Sequence, residues 1–268
     1  MRAIVRHYRI ALAAAVVVVT GGATLSERPA DAAPTPLSGV PVASATVAAT
    51  AVTPAEAVDA RSARVDEALD ELSRKVGRTS DSRALEAAFQ AYFAFKAEHP
   101  EQVRKPFLYF VDYGLANTTP RGWVFNMETL DVVEGPFNVA HGRGSGPRNG
   151  IPTRFSNVTG SAASSLGLYV AQETYGFSGK ANGRRYTSIG LRMQGVSDEF
   201  NSRARARGVV VHGAPYVNAR DAGRSEGCPA MEEFRAQRLL PKLADGGMVF
   251  VFAPKSAWLN QDPWVTAD

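Results

Sequence analysis

The segment GRSEGCPAM, residues 223–231, contains Cys228, which is the only cysteine among the 268 residues. A lone thiol in a loop of glycine and charged residues has three candidate roles: a small buried residue, half of an intermolecular disulfide, or a nucleophile. Pro229 is a favourable first residue of a helix, and an apolar helical pattern follows it, so a helix is predicted from about residue 229 to 245. Cys228 is then expected at the N-cap, where free N–H groups and the helix dipole lower the pKa of a thiol.

A nucleophilic thiol needs a group that accepts its proton. The chain has four histidines, of which His7 lies in the first residues and His99 ends a predicted helix. His212 and His141 remain, and each precedes a glycine at the end of a predicted strand. His212 stands sixteen residues before Cys228, a distance that a loop between a strand and a helix can close. We therefore predict that His212 is the general base and that His141 lines the same region.

Several other classes of protein are disfavoured by the composition. A single cysteine with two such histidines matches no known spacing of metal ligands, so no metal site is predicted. The chain contains no Gly-x-Ser-x-Gly elbow of a serine hydrolase. The net charge is +4 and the basic residues are scattered rather than interleaved with aromatic residues, so nucleic acid is not expected as a partner.

The first residues are typical of a secretory signal peptide. Arginines precede an apolar run at residues 10–19, which is too short to span a bilayer, and the small-x-small pattern Ala30-Asp31-Ala32 follows. We expect residues 1–32 to be removed during export to the periplasm or cell envelope, leaving no stable membrane span. Exported proteins commonly use cysteines in disulfide pairs, so an unpaired Cys228 in that compartment favours a reactive thiol.

The rest of the chain divides by composition. Residues 33–56 are rich in Pro, Ala, Thr and Val and predict a flexible linker. Residues 57–100 show two amphipathic helical patterns, interpreted as a helical cap, with a partner-binding module as the alternative. Residues 105–260 form the predicted catalytic domain, which is mainly β with short helices inserted, one of them at about residues 197–207.

The β prediction depends on apolar runs separated by loops rich in glycine and asparagine. The first run alternates apolar residues from Phe107 to Tyr113, as in a half-buried strand. The predicted strands lie within residues 105–115, 122–127, 129–142, 165–176, 185–195, 207–213 and 247–254.

The paired segments VVVHGAPYVN and GRSEGCPAM resemble the His-Gly and Ser-x-Gly-Cys signature of the L,D-transpeptidase (YkuD-like) family. The segments VAHGRGSG and SSLGLYV resemble the branch of murein L,D-transpeptidase catalytic domains. The resemblance covers about residues 105–255. It implies a mostly β sandwich or barrel catalytic fold, export to the cell envelope, peptidoglycan stem peptides as substrate and no cofactor.

The same resemblance implies roles for individual residues. Cys228 matches the nucleophile and His212 the base, while backbone N–H groups of Gly227 and Cys228 match the donors to the oxyanion. Ser225 and Arg224 lie in the loop that shapes the pocket. The implied reaction is attack on a diaminopimelate carbonyl, loss of D-Ala, and resolution of the thioester by a second diaminopimelate amine to give a 3→3 cross-link.

Two positions depart from the family pattern. Glu226 stands before Gly227, where most members have histidine, and an ionised carboxylate beside the thiol raises the thiol pKa. Pro229 and Ala230 follow Cys228, where many members have an aliphatic residue and then arginine. Recognition of a substrate carboxylate then falls to another residue, and the candidates for substrate binding are His141, Gly213, Arg143, Arg192 and Arg224.

The residues leave two alternatives open beside the transpeptidase. With water as the acceptor, the same Cys228 and His212 would act as a peptidoglycan carboxypeptidase or hydrolase. A non-catalytic murein-binding domain would also keep the pocket. Papain-like peptidases fit less well, because their cysteine precedes their histidine along the chain.

Overall fold

The computed structural model describes residues 53–267, so the predicted signal peptide and most of the predicted linker lie outside the described residues. Within this range the chain is mostly strand with a helical segment first, which confirms the predicted fold class. The helices are α1 (Pro54–Val76), α2 (Ala84–Glu98), α3 (Asp198–Asn201), α4 (Glu233–Leu243) and α5 (Ser256–Leu259). The strands are β1 (Phe107–Asp112), β2 (Gly122–Asn126), β3 (Asp131–Phe137), β4 (His141–Gly142), β5 (Gly167–Ala181), β6 (Arg184–Gly195), β7 (Val210–Gly213), β8 (Arg224–Ser225), β9 (Ala230–Met231) and β10 (Met248–Phe252).

Eight of the strands form one mixed sheet in the order β3-β2-β1-β10-β5-β6-β7-β9, and β4 pairs with β8 beside it. The strand β1 lies in the interior of the sheet, parallel to β10 and antiparallel to β2. Its alternating pattern predicted a strand with one solvated face, and this is wrong, because β1 is buried on both faces. The residues between the expected core positions are themselves apolar, namely Leu108 and Phe110.

Helices cover both faces of the sheet. Phe110 stacks near Phe125, whose ring packs edge-on against Phe89 of α2 at 5.7 Å. On the other face Tyr109 stacks on Phe137, and the guanidinium of Arg235 in α4 lies 4.5 Å above that ring. Burying apolar area on both faces is the main stabilising contribution of such a layered core.

The helices α1 and α2 share this core, and residues 53–267 belong to one compact unit. The helix α1 begins earlier than predicted because Thr53 and Glu56 form a capping box, in which the Thr53 side chain accepts from the Glu56 N–H. Helix α2 ends at Glu98, before Pro100. No helix among residues 53–267 is long and apolar enough to cross a membrane.

The strands β5 and β6 form a long hairpin that extends beyond the predicted strand ends. The two residues between them, Asn182 and Gly183, have φ angles of 51° and 77°. Positive φ at both central positions is typical of a type I′ turn, which suits the twist of the paired strands. The turn thereby sets the register that places Lys180 opposite Arg185.

The helix predicted to start at Pro229 begins at Glu233 instead. Ala230 and Met231 form the strand β9, which pairs in parallel with β7, and Ala140 also bridges to Ala230. Backbone hydrogen bonds to two neighbouring segments favour an extended conformation here over a helical turn. Cys228 therefore precedes a strand and is not the N-cap of α4, which corrects the sequence prediction.

Candidate active site

The pairing of β7 with β9 brings the predicted base and the predicted nucleophile into one region. His212 lies opposite Ala230 in the ladder, and its backbone N–H donates to the carbonyl of Pro229 at 3.3 Å. Pro229 directly follows Cys228, so the two candidate residues lie on neighbouring, hydrogen-bonded segments. Their side chains form no hydrogen bond with each other in the part of the chain that the structure describes.

The imidazole of His212 is held in one orientation. Its ring stacks on Phe177 with 4.1 Å between centroids, and Nδ1 lies 2.9 Å from the carbonyl oxygen of Gly213. Because a carbonyl oxygen only accepts, Nδ1 carries the proton and Nε2 keeps its lone pair. Burial lowers the pKa of His212 to about 4, so the ring is neutral at pH 7. A neutral, oriented imidazole with a free Nε2 lone pair is suited to accept a proton.

The thiol of Cys228 is also neutral in this structure. The residue is partly exposed as a whole, and its sulfur lies 3.9 Å from the carbonyl oxygen of Gly208. Burial of the sulfur raises the pKa of the Cys228 thiol to about 11, against the lowering by the Val210 N–H and the Arg207 guanidinium. Glu226 raises it further, as expected from the sequence. The predicted lowering of the pKa by a helix N-terminus is wrong, since α4 begins at Glu233.

Ser225 organises the turn before the thiol. Its hydroxyl donates to the carbonyl oxygen of Cys228 at 2.6 Å and accepts from the Gly227 N–H at 3.1 Å. The Gly227 N–H is therefore engaged within the turn, unlike the free oxyanion donor that the sequence predicted. The Cys228 N–H makes no hydrogen bond in the described part of the chain, so it remains available to an oxyanion.

Two glycines allow the segments beneath the thiol to approach closely. Gly227 has a φ of 127°, and a Cβ placed there would lie 3.0 Å from the carbonyl oxygen of Ala163. A Cβ on Gly142 would lie 2.7 Å from the Cα of Gly227. The hydroxyl of Ser164 joins the same two residues, because it accepts from the Gly142 N–H and donates to the Gly227 carbonyl, both at 3.0 Å. These contacts fix the turn that carries Cys228.

His141 is fully buried and has a structural environment. Arg121 donates to its Nδ1 from 2.9 Å, which leaves the imidazole proton on Nε2, and this nitrogen makes no hydrogen bond of regular geometry within residues 53–267. Burial and the Arg121 charge lower the pKa of His141 to about 4. Arg121 itself is buried, donates to the carbonyls of Val139 and Leu115, and lies over the ring of Tyr113. Because Arg121 occupies the Nδ1 lone pair of His141, this ring lacks the free acceptor that Nε2 of His212 provides.

The remaining predicted substrate-binding residues divide by their partners. Gly213 receives the His212 Nδ1 hydrogen and packs against α4. Arg143 forms an exposed ion pair with Glu226, with Nε 2.7 Å from Oε1. Arg192 pairs with Glu173 at 3.1 Å and stacks over Tyr175, whereas the exposed Arg224 side chain hydrogen-bonds the Gly146 carbonyl and forms no ion pair within the described residues.

Sequence reasoning missed three side chains around the pair. Phe177 and Tyr216 flank the His212 ring, and Tyr216 appears in the segment HGAPYVN without any spacing that marks it. The charge of Arg207 lowers the pKa of the Cys228 thiol. Its guanidinium donates to Ser156, Ser161, Ala163 and Ser165 and so orders the loop against Gly227. These contacts join residues that are 42–51 positions apart, so no local sequence pattern predicts them.

The described geometry is suited to acyl transfer through sulfur. It supplies a thiol on a partly exposed residue, a neutral imidazole on the adjacent strand, and a backbone N–H at the thiol residue that makes no hydrogen bond among residues 53–267. Since both side chains are neutral at pH 7, the thiol has to lose its proton before or during any attack by the sulfur.

A family model described as YkuD_2, L,D-transpeptidase catalytic domain, matches residues 77–252 of the chain. The match contains β1 through β10 and every candidate site residue. No curated protein matches the chain.

Solved structures with some similarity are also L,D-transpeptidases. The enzyme from Mycobacterium smegmatis is 15% identical with a TM-score of 0.34, over 55% of this chain and 59% of its own. The enzyme from Stackebrandtia nassauensis is 15% identical with a TM-score of 0.35, over 65% of this chain and 69% of its own. L,D-transpeptidase 3 from Mycobacterium tuberculosis is 12% identical with a TM-score of 0.34, over 55% and 61% of the two chains. The chain thus spans about three fifths of the first and third of these proteins.

Proposed function

Because the chain belongs to the L,D-transpeptidase catalytic domain family, we propose that it is an exported cysteine acyltransferase acting on peptidoglycan stem peptides. Cys228 forms a thioester with the donor peptide, and a diaminopimelate amine of a second peptide resolves it. The product is a 3→3 cross-link. No metal or organic cofactor takes part in either half-reaction.

The observation that carries this proposal is the arrangement of His212 beside the Cys228 segment. The β7–β9 ladder joins the two segments, and the Nδ1 contact with Gly213 leaves Nε2 of His212 as the acceptor of a proton. The sulfur lies near Gly208 in the substrate-free state. Catalytic hydrogen bonds are often long or absent in free enzymes, so we expect the thiol to turn toward Nε2 when substrate binds.

In the first half-reaction the Cys228 sulfur attacks the carbonyl of the donor diaminopimelate, and His212 Nε2 takes the thiol proton. The carbonyl oxygen becomes an oxyanion, to which the Cys228 N–H donates. Collapse breaks the bond to D-Ala, whose nitrogen leaves with the proton from His212. The result is a thioester, free D-Ala and a neutral imidazole.

In the second half-reaction the side-chain amine of an acceptor diaminopimelate attacks the thioester carbonyl. His212 accepts a proton from the attacking nitrogen and returns it to the departing sulfur. An amide bond forms, the carbon–sulfur bond breaks, and Cys228 is again a thiol. Water in place of the amine would release a tripeptide by hydrolysis.

The test is incubation of the mature protein with tetrapeptide muropeptides that contain diaminopimelate, followed by mass spectrometry of the products. The proposal expects a 3→3 dimer and free D-Ala, both absent with Cys228→Ala. Release of tripeptide without dimer would identify a carboxypeptidase instead. Product formation that survives in Cys228→Ala would exclude the thioester route.

Export is a separate part of the proposal and depends on residues 1–32, which lie outside the described residues. Cell fractionation and N-terminal sequencing of the mature protein test it. We expect an N-terminus directly after the Ala30-Asp31-Ala32 pattern in the envelope fraction. A full-length chain retained in the cytoplasm would contradict export.

A further inference from the structure

The structure leaves the partner of a substrate carboxylate unassigned, because the arginine common after the family cysteine is absent here. Two of the three arginines considered for this role already have carboxylate partners. Arg143 pairs with Glu226 at 2.7 Å, and Arg192 pairs with Glu173 at 3.1 Å. Arg224 forms no ion pair in the described residues, and its guanidinium faces a cavity.

That cavity is part of a longer groove. Two adjoining cavities of about 500 and 340 Å³ share Ala181, Asn182, Pro215 and Tyr216 in their walls. Five cationic residues are among those that line them, and no aspartate or glutamate is. We call this surface the basic groove, and its cations are Arg148, Lys180, Arg184, Arg185 and Arg224.

Most of these cations lack a carboxylate partner within the protein. Arg148 pairs with Asp221 at 3.0 Å, and the other four form no ion pair among the residues that the structure describes. Lys180 and Arg185 also lie directly opposite each other on β5 and β6. Like charges directly opposite each other repel, so this pair weakens the end of the hairpin slightly and an anion bound there would relieve the repulsion.

The basic groove adjoins the candidate active site through its aromatic wall. Tyr216 lines both cavities, and its ring centroid lies 6.5 Å from that of His212. Tyr186 lines one cavity and packs edge-on against Tyr216 at 6.3 Å. A peptide extending from Cys228 past Tyr216 would therefore enter a surface of four unpaired cations.

We propose that the basic groove is a binding site for the carboxylate groups of the peptide substrate. This inference rests on the proposed function and specifies how it selects its substrate. Several cations along one groove suit a peptide with more than one carboxylate, and a stem peptide that ends in D-Ala and contains diaminopimelate is such a peptide. Arginine provides paired donors that match a carboxylate, so Arg184, Arg185 and Arg224 can bind in a bidentate manner.

The test measures binding apart from catalysis. The full chain carrying Cys228→Ala is titrated into a fluorescent stem tetrapeptide, and its affinity is compared with that for the same peptide with amidated carboxylates. We expect Lys180→Glu combined with Arg184→Glu to weaken binding of the free-carboxylate peptide by about tenfold or more. The matched control combines Arg78→Glu with Lys105→Glu, which changes the net charge equally at exposed sites away from the groove and should change affinity by about twofold at most. Thermal unfolding of both double variants verifies that they are folded.

Four results would overturn the inference. In the first, the groove variant binds the free-carboxylate peptide as tightly as its parent does. In the second, the parent binds the amidated peptide as tightly as the free-carboxylate peptide. In the third, the parent binds neither peptide. A preference for a phosphate-bearing polymer over the peptide would assign the groove to another ligand. Turnover by the unmodified protein is measured separately, so a failed groove can be distinguished from a failed transpeptidase proposal.

Discussion

The backbone N–H of His212 donates to the carbonyl of Pro229, the residue directly after Cys228. This bond joins the candidate base to the segment of the candidate nucleophile, although the two residues are sixteen positions apart. The β7–β9 ladder therefore sets the position of both groups through the backbone.

The pH dependence of turnover should reflect two neutral groups. The pKa of His212 is lowered to about 4 and that of Cys228 is raised to about 11, so the neutral pair is populated between these values. We expect kcat/KM, which reports groups of the free enzyme, to change little between about pH 5.5 and pH 8. Activity should fall only as the pH drops toward 4, where His212 becomes protonated. An acidic limb near the ordinary histidine value of about 6.5 would contradict this assignment.

Replacement of His212 by glutamine should remove the proton acceptor. We expect kcat to fall by about 10²–10⁴-fold, the usual contribution of general acid–base catalysis. The matched control is His99→Gln at the end of α2, outside the candidate site, which should leave kcat unchanged. Steady-state release of D-Ala measures both variants. Equal rates for the two variants would exclude His212 as the base.

Replacement of Ser225 by alanine should loosen the turn that carries the thiol. Two hydrogen bonds are lost, one to the Cys228 carbonyl and one from the Gly227 N–H. We expect the free energy of unfolding to fall by about 1–3 kcal/mol, measured by urea denaturation. Ser178→Ala on the exposed part of β5 is the control, because the Ser178 side chain makes no hydrogen bond in the described structure. A Ser225→Ala protein as stable as the control would show that the turn does not depend on this hydroxyl.

Replacement of Gly142 by alanine should force apart the segments beneath Cys228. The added methyl group would lie 2.7 Å from the Gly227 Cα, so backbone must move. Overpacking of this kind lowers the free energy of unfolding by about 1–3 kcal/mol, and turnover should fall with it. Gly176→Ala in β5 is the control, since a Cβ there has nothing within 4 Å. If both variants unfold at the same urea concentration, the close packing of Gly142 on Gly227 does not contribute to the stability of the protein.

The main features of the fold could be predicted from sequence because the strands are strongly apolar. The pattern of β10, for example, has no polar residue from Met248 to Phe252, and burial alone selects a strand at that length. The Asn182-Gly183 pair also favours a tight turn, since these residue types adopt positive φ. The apolar alternation that predicts β5 ends near residue 176, whereas the strand continues to Ala181, because exposed residues pair across the hairpin beyond that point.

The candidate site could be predicted by residue type but not by local conformation. Pro229 followed by an apolar pattern is compatible with a helix start, and only pairing with His212 and Ala140 makes Ala230 extended. Such pairing depends on strands that are distant in sequence. The lowered pKa predicted for the Cys228 thiol depends on a helix that would start at Pro229. Because α4 starts at Glu233, burial has the largest effect on this thiol and raises its pKa.

The buried Arg121–His141 pair could not be inferred from its sequence either. His141 shares the His-Gly pattern of His212, yet it lies wholly inside the protein with Arg121 at its Nδ1. Both rings are buried, and they differ in their partners, since Arg121 donates to Nδ1 of His141 whereas Nδ1 of His212 donates to the Gly213 carbonyl. A residue pattern that occurs twice in one chain thus indicates a base only once the hydrogen-bond partners of each ring are known.

The central claim is an acyl group on Cys228, and mass spectrometry of the intact protein tests it most directly. The protein is mixed with a donor tetrapeptide in the absence of an acceptor and quenched in acid at short times. The proposal predicts a mass increase equal to the donor peptide minus D-Ala, mapped to the peptide that contains Cys228 and missing in Cys228→Ala. Turnover of the donor with no such adduct at any time, or with the same adduct on Cys228→Ala, would contradict the proposal.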